Sequence, residues 1–173
     1  MRDRAQAEQD LASFSSDIAL VFEPIHLVDF EVLYALPQPV HAVFKSNSFL
    51  AQKTELRLRD CLTQQLVLPS AAYGVRHLLD NAAARKGHSL TPIVETESFE
   101  LIRHYVTREN AVGFQIPIGL STDQQPDIMH LPLSEKDMPA GRLLLGQMKG
   151  RALPLASFKF GQQLTAALAH WAE

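Results

Sequence analysis

Eight short apolar runs limit what this chain can become: 17–22, 30–36, 40–45, 65–68, 91–95, 111–115, 128–133 and 142–147. Most are bounded by Pro, Gly, Ser or Asp, as buried strands tend to be. Helical patterns fall between several of them. "GVRHLLDNAAARKG" aligns Val75, Leu78, Leu79 and Ala82 on one stripe and stops at Gly87. "ESFELIRHYVTRE" puts Ile102, Tyr105 and Val106 on one face, with Glu97 and Glu100 complementing the dipole of its first turn. "LASFKFGQQLTAALAHW" spaces Phe160, Leu164, Leu168 and Trp171 at helical intervals, and "RAQAEQDLASF" has the propensity of a short surface helix. Strands alternating with helices predict an α/β fold with a largely parallel sheet.

Two joints divide the pattern. "ALPQPV" sets Pro37 and Pro39 between two strand runs, where neither central pairing nor a helix can continue, and "VGFQIPIG" carries a strand into Pro117 and Gly119. The expected organisation is therefore a lobe at 36–117 inserted in a second lobe made of 1–35 and 118–173. Two crossings between lobes make a hinge and a cleft.

The sites predicted from the residues are helix starts. "LPSAAYG" leads a strand into a helix, leaving backbone N–H groups near Ser70 and Ala71 as free donors. "VETES" does the same, with Thr96 as N-cap. Such ends suit a carboxylate or phosphate, and they lie at the carboxyl ends of strands, where open α/β sheets bind ligands. Glu95 and Glu97 would oppose an anion unless they point away.

In order and spacing, "DIALVF", "FEVLYALPQPVHAVFKSNSFLA", "LRLRDCLTQQLVLPSAAYGVRHLLDNAAARKG", "ETESFELIRHYVTRENAVGFQIP", "IMHLPL" and "GRALPLASFKFGQQLTAAL" resemble the effector-binding domain of a LysR-type transcriptional regulator. The resemblance implies an α/β, two-lobed type-2 periplasmic-binding-protein-like fold that senses a small molecule in the inter-lobe cleft. It also implies that Ser70, Thr96, Ser98, Phe114 and Gln115 face the effector. Such regulators open with a winged helix-turn-helix and a linker helix, and their effector domain with a strand, a helix and a second strand. None of these is found here, so lobe I is expected to be incomplete at its N-terminus, with weak effector binding and no direct DNA binding by this chain. The exposed sheet edge and apolar face that result predict self-association. The family usually has a glycine three residues ahead of the "DIA" aspartate; here the position is Phe14.

Composition narrows the function classes. The 173 residues are 46% hydrophobic and 20% charged, ordinary for a globular protein, and a net charge of −3 supplies no basic field for nucleic acid. No apolar run approaches the ~18 residues of a membrane span, and "MRDRAQAEQD" lacks the apolar core of a secretory signal. One cysteine, Cys61, excludes an internal disulfide framework and fits a reducing, cytoplasmic compartment. None of the seven histidines falls in metal-ligand spacing, so His26, His41, His88 and His130 read as solvated loop or strand-edge residues, and His77, His104 and His170 as helix-surface ones. No P-loop, G-x-S-x-G or G-x-G-x-x-G occurs. No catalyst, metal or cofactor is expected. A solute-binding protein of the same fold is the alternative reading, and a small enzyme on that scaffold a third.

Overall fold

The computed structural model of the protein describes residues 4–120 and 126–171. It divides into two compact units, Met1–Pro37 with Gly141–Glu173, and Gln38–Ala140.

In the first unit, helix α1 (Arg4–Ala12) leads into β1 (Ile18–Phe22), followed by β2 (Phe30–Gln38), β8 (Gly141–Met148) and helix α5 (Leu155–Ala169). These strands form a three-stranded sheet in the order β1-β8-β2. The most buried strand takes the centre: Leu143, Leu144 and Leu145 of β8 are buried, and β1 runs antiparallel to it from Ile18 opposite Gln147 to Phe22 opposite Leu143. Gly146 is required in β8 because the Phe30 ring occupies the space a Cβ would need. Strand β2 runs through Pro37, contrary to the expected break. It lies at the sheet edge, where a missing N–H costs no ladder bond. The stripe expected on α5 is only partly buried. Leu168 is covered, whereas Phe160 and Trp171 are exposed together with Leu155 and Phe158.

Phe14 stands in the helix-to-strand turn with φ +60°, the left-handed conformation that glycine adopts without strain. The turn closes because Phe14 N–H donates to Leu11 O, and the N–H groups of Ser15 and Ser16 both donate to Asp10 O. The Arg151 guanidinium lies 4.9 Å over the Phe14 ring and donates to Asp17 Oδ1 at 2.6 Å. Ser157 Oγ holds the second Asp17 oxygen at 2.6 Å, which ties the start of β1 to α5.

The second unit holds a five-stranded sheet in the order β5-β4-β6-β3-β7, made of β3 (His41–Lys45), β4 (Leu66–Pro69), β5 (Pro92–Thr96), β6 (Val112–Gln115) and β7 (Ile128–Pro132). The sheet is mixed rather than largely parallel: β5, β4 and β6 are parallel, and β3 is antiparallel to both β6 and β7. Helix α3 (Gly74–Arg85) packs on β4, and α4 (Phe99–Arg108) lies across β3 to β7. Val43, Val67, Ile102, Val106 and Ala111 form the core under α4.

This inserted unit extends beyond the expected boundary at 117. Strand β7 pairs with β3 over five positions, from His41 opposite Pro132 to Lys45 opposite Ile128, so the chain stays in the unit until Ala140. The segment after β7 is clamped to the short helix α2 (Leu58–Cys61) by Asp137. Its carboxylate accepts from Arg57 Nε at 2.9 Å, Arg57 Nη2 at 2.6 Å and the Leu58 N–H at 2.9 Å. Those bonds, led by the one to the Arg57 side chain, hold the Asp137 carboxyl down at about 2. The polar run Ser134–Asp137 after β7 gave no sign of this return, because nothing local announces which strand β7 will join.

The Phe14 turn is open to a direct test. Left-handed backbone costs a residue with a Cβ about 1–2 kcal/mol. Phe14→Gly and Phe14→Ala both lose the ring contact with Arg151, so their difference isolates the backbone. Chemical denaturation is expected to find Phe14→Gly more stable than Phe14→Ala by about 1 kcal/mol. Equal stabilities would show that the turn is unstrained.

Candidate functional site

Three parallel strands, β5, β4 and β6, end on one edge of the second sheet. Pro69 at the end of β4 is in register with Thr96 at the end of β5, so Ser70, Thr96 and Ser98 are brought side by side. Helix α4 starts directly after Ser98, whose Oγ accepts from the Leu101 N–H at 3.1 Å as N-cap. Thr96, expected as that cap, instead accepts the Ser98 N–H on its Oγ1 at 3.1 Å, shaping the turn ahead of it. Tyr73 precedes α3 and bridges the two helix starts: its hydroxyl donates to Glu97 O at 3.0 Å, and its ring meets that of Phe99 edge-on at 5.2 Å.

The free donor expected at Ser70 is already engaged: its N–H donates to Thr96 O at 2.9 Å. The tight parallel register of β4 and β5 brings this acceptor within reach, and spacing along the sequence could not show it. The Ala71 N–H is among the groups that lower the Glu95 carboxyl. Glu95 also takes a 2.7 Å bond from Arg76 Nη1, whose guanidinium grips Asp80 through Nε at 3.0 Å and reaches Pro69 O at 3.1 Å. Arg76 holds the Glu95 carboxyl below its ordinary range, so the acid that would repel an anion is paired. Arg76 went unnoticed in the sequence, although its place one turn before Asp80 was a usable signal.

What remains uncommitted at this edge is the Ser70 hydroxyl. Its Oγ is enclosed and has no hydrogen-bond partner among the described residues. A polar atom shut away from water without a partner costs free energy, and a ligand group that reached it would recover that cost.

Phe114 and Gln115 differ from expectation. Phe114 is wholly buried in the sheet. Gln115 is also buried, with Oε1 accepting from Arg103 Nη1 at 3.0 Å and Nε2 donating to Gly119 O at 2.8 Å. This brace fastens the turn after β6 to α4, and it leaves Gln115 as a support of the edge rather than a presented group. The resemblance placed both residues at the crossover after β6, but only packing shows how deeply they are covered.

His41 and His130, read from sequence as separate solvated residues, are neighbours on β3 and β7. Their Nδ1 atoms are 2.8 Å apart and their ring centroids 5.0 Å, with the planes inclined at 46°. Burial, and then the charge of His130, push His41 down to about 4, and burial lowers His130 as well. Cys61 is buried and its thiol is pushed up to about 12 by desolvation, which keeps it from reacting as a thiolate. No cluster of three or more metal-ligating side chains, and no helix long and apolar enough to cross a membrane, occurs among the described residues.

Residues 1–169 match the family model of the LysR substrate binding domain. Among the solved structures similar in fold are three of regulatory proteins. The regulatory domain of CcmR from Synechocystis, in complex with 2-PG, superposes with a TM-score of 0.82 at 17% identity, covering 96% of this chain and 80% of that one. The effector binding domain of QuiR, in complex with shikimate, gives 0.77 at 18% identity, with 96% and 79% covered. HinK, a LysR family transcriptional regulator from Pseudomonas aeruginosa, gives 0.79 at 18% identity, with 96% of this chain covered but 58% of that chain. No curated protein matches the sequence.

The histidine pair makes stability depend on pH in a defined window. His41 takes up its proton near 6.5 when unfolded and only near 4 when folded, so between those values the unfolded chain binds more protons. The contribution is complete above pH 6.5 and is lost as pH falls towards 4. Denaturation midpoints for the protein and for His41→Gln are expected to converge over that interval. Parallel profiles would show that the pair does not titrate with folding.

Proposed function

The chain belongs to the LysR substrate binding domain family, and on that premise we propose that its second unit binds a small polar effector at the carboxyl ends of β4, β5 and β6, as the sensing module of a transcription regulator. Its two compact units are the counterparts of the two lobes of such a domain. Ser70, Thr96 and Ser98 present hydroxyls to the effector, and Ser70 is the determinant. The observation that carries this reading is the enclosed Ser70 Oγ without a partner, placed where two helices begin.

The effector carries an anionic group together with hydroxyls. The partial positive charge of the α3 and α4 starts and the pairing of Glu95 by Arg76 favour it. Affinity is weak, because the Ser70 N–H is already spent inside the protein. A dissociation constant on the order of a millimolar is expected for a small hydroxycarboxylate, against the micromolar values of a site with free donors. Calorimetric titration of a panel of such acids checks this. Ser70→Ala is expected to weaken binding about 10-fold, the loss of one hydrogen bond in a closed site, while thermal stability holds or rises as an unpartnered hydroxyl is removed. Equal binding by the protein and Ser70→Ala would dismiss the site, and micromolar affinity would dismiss the account of the spent donor.

The first unit supports a proposal of self-association. Leu155, Phe158, Phe160 and Trp171 of the C-terminal helix and adjoining turn are exposed, as are Val32 and Leu33 on β2, and β1 has one sheet neighbour among the described strands. Light scattering coupled to size exclusion is expected to find dimers or larger species that shift towards monomer in Phe158→Ser/Phe160→Ser. A monomer at all concentrations would contradict it.

A further inference from the structure

The two histidines on β3 and β7 have a chemistry that the effector site does not use. We propose that His41 and His130 form a two-point site for a divalent transition-metal cation of nitrogen preference, such as zinc, nickel or copper. Their Nδ1 atoms face each other at 2.8 Å across neighbouring antiparallel strands, with Val43 opposite His130 and His41 opposite Pro132. A hydrogen bond at that distance needs one Nδ1 as donor and the other as lone-pair acceptor, so the space between them holds a single proton. A tetrahedral cation with bonds of about 2.0–2.1 Å to two imidazoles sets their nitrogens about 3.3 Å apart. Opening the pair by about half an ångström, well within side-chain rotation on a fixed backbone, converts one arrangement into the other.

The proton balance is simple. In the neutral pair one ring carries its hydrogen on Nδ1 and the other on Nε2. When a cation takes both Nδ1 lone pairs, the first ring carries its hydrogen on Nε2 instead, and none is released. Burial lowers both rings from the ordinary imidazole value, and neutral imidazole is the ligating form. The surroundings do not compete. Gln115, in register with His41, has both ends of its amide engaged, and Arg103 is directed at Gln115 and Gly119. The Lys45 ammonium, further along β3, is held on Arg108 O at 3.3 Å. Among the described residues no third metal-ligating side chain joins the pair. The remaining coordination positions fall to water or to an anionic small molecule, which makes this an open site rather than a closed structural one.

The test uses the untagged full chain, titrated calorimetrically with zinc chloride and nickel chloride at pH 7.5 and pH 6. His41→Gln, His130→Gln and the control His88→Gln, at an exposed position, are titrated alongside. One cation is expected per chain, with affinity kept at pH 6, where solvated histidines are largely protonated. Losing either partner turns a chelate into a single ligand, so affinity is expected to fall about a hundredfold in His41→Gln and in His130→Gln and to be unchanged in His88→Gln. Should a glutamine variant not fold, nitrogen NMR of the unaltered protein decides. Zinc must shift the Nδ1 resonances of His41 and His130 and leave the other five histidines in place. Absence of binding, equal loss in His88→Gln, or shifts spread over all histidines would overturn the proposal.

Discussion

Helix α4 lies so close to its sheet that Gly113 cannot carry a side chain: a Cβ there would run into Ile102 and press on Val106 at 3.4 Å. Much of the second unit depends on this approach. Ile102 and Val106 are wholly buried against Val43, Val67 and Ala111, and that packing fixes the height and rotation of α4 over strands β3 to β7. A helix held that rigidly sets where its first residue falls, and Ser98, its cap, is thereby placed beside Thr96 and Ser70. Enlarging a close-packed contact of this kind costs about 1–3 kcal/mol through displaced neighbours. Here the displacement would move the helix start, so packing and site cannot be varied independently.

The electrostatics of that strand edge are closed within the protein. Arg76 pairs Glu95 and Asp80, and Thr96 O takes the Ser70 N–H. A helix start with free donors would be an anion receptor. This one has spent the Ser70 N–H, and what it still offers is hydroxyl chemistry centred on Ser70. The family membership supplies the class of function, and the residues at the edge supply the reason to expect modest affinity and a polar, hydroxylated partner.

Legibility from sequence followed the range of the forces involved. All eight strands among the described residues were predicted, because each is an apolar run closed by residues that end strands, and β1, β3, β4 and β6 need no distant partner to be recognised. Helices α3 and α4 were legible through their apolar stripes, of which Val75, Leu79, Ala82, Ile102 and Val106 are buried while Leu78 and Tyr105 are half-buried. The stripe on α5 was read correctly as a pattern, yet Phe160 and Trp171 stay exposed because a pattern does not say whether a partner is present. Phe14 was flagged as a position for glycine, and the structure keeps the glycine conformation with a phenylalanine in it.

The sequence by itself determined the elements, their order and the family likeness, since these arise from local propensity and from residue order. Tertiary structure alone decided that β7 returns to β3, that the sheet is mixed, that Phe114 and Gln115 are covered, and that the Ser70 N–H is spent on Thr96. It also brought His41 and His130, separated by 89 positions, to 2.8 Å. Strand partners and hydrogen-bond acceptors are chosen by competition among groups far apart in the chain, and that competition is resolved only when the chain packs.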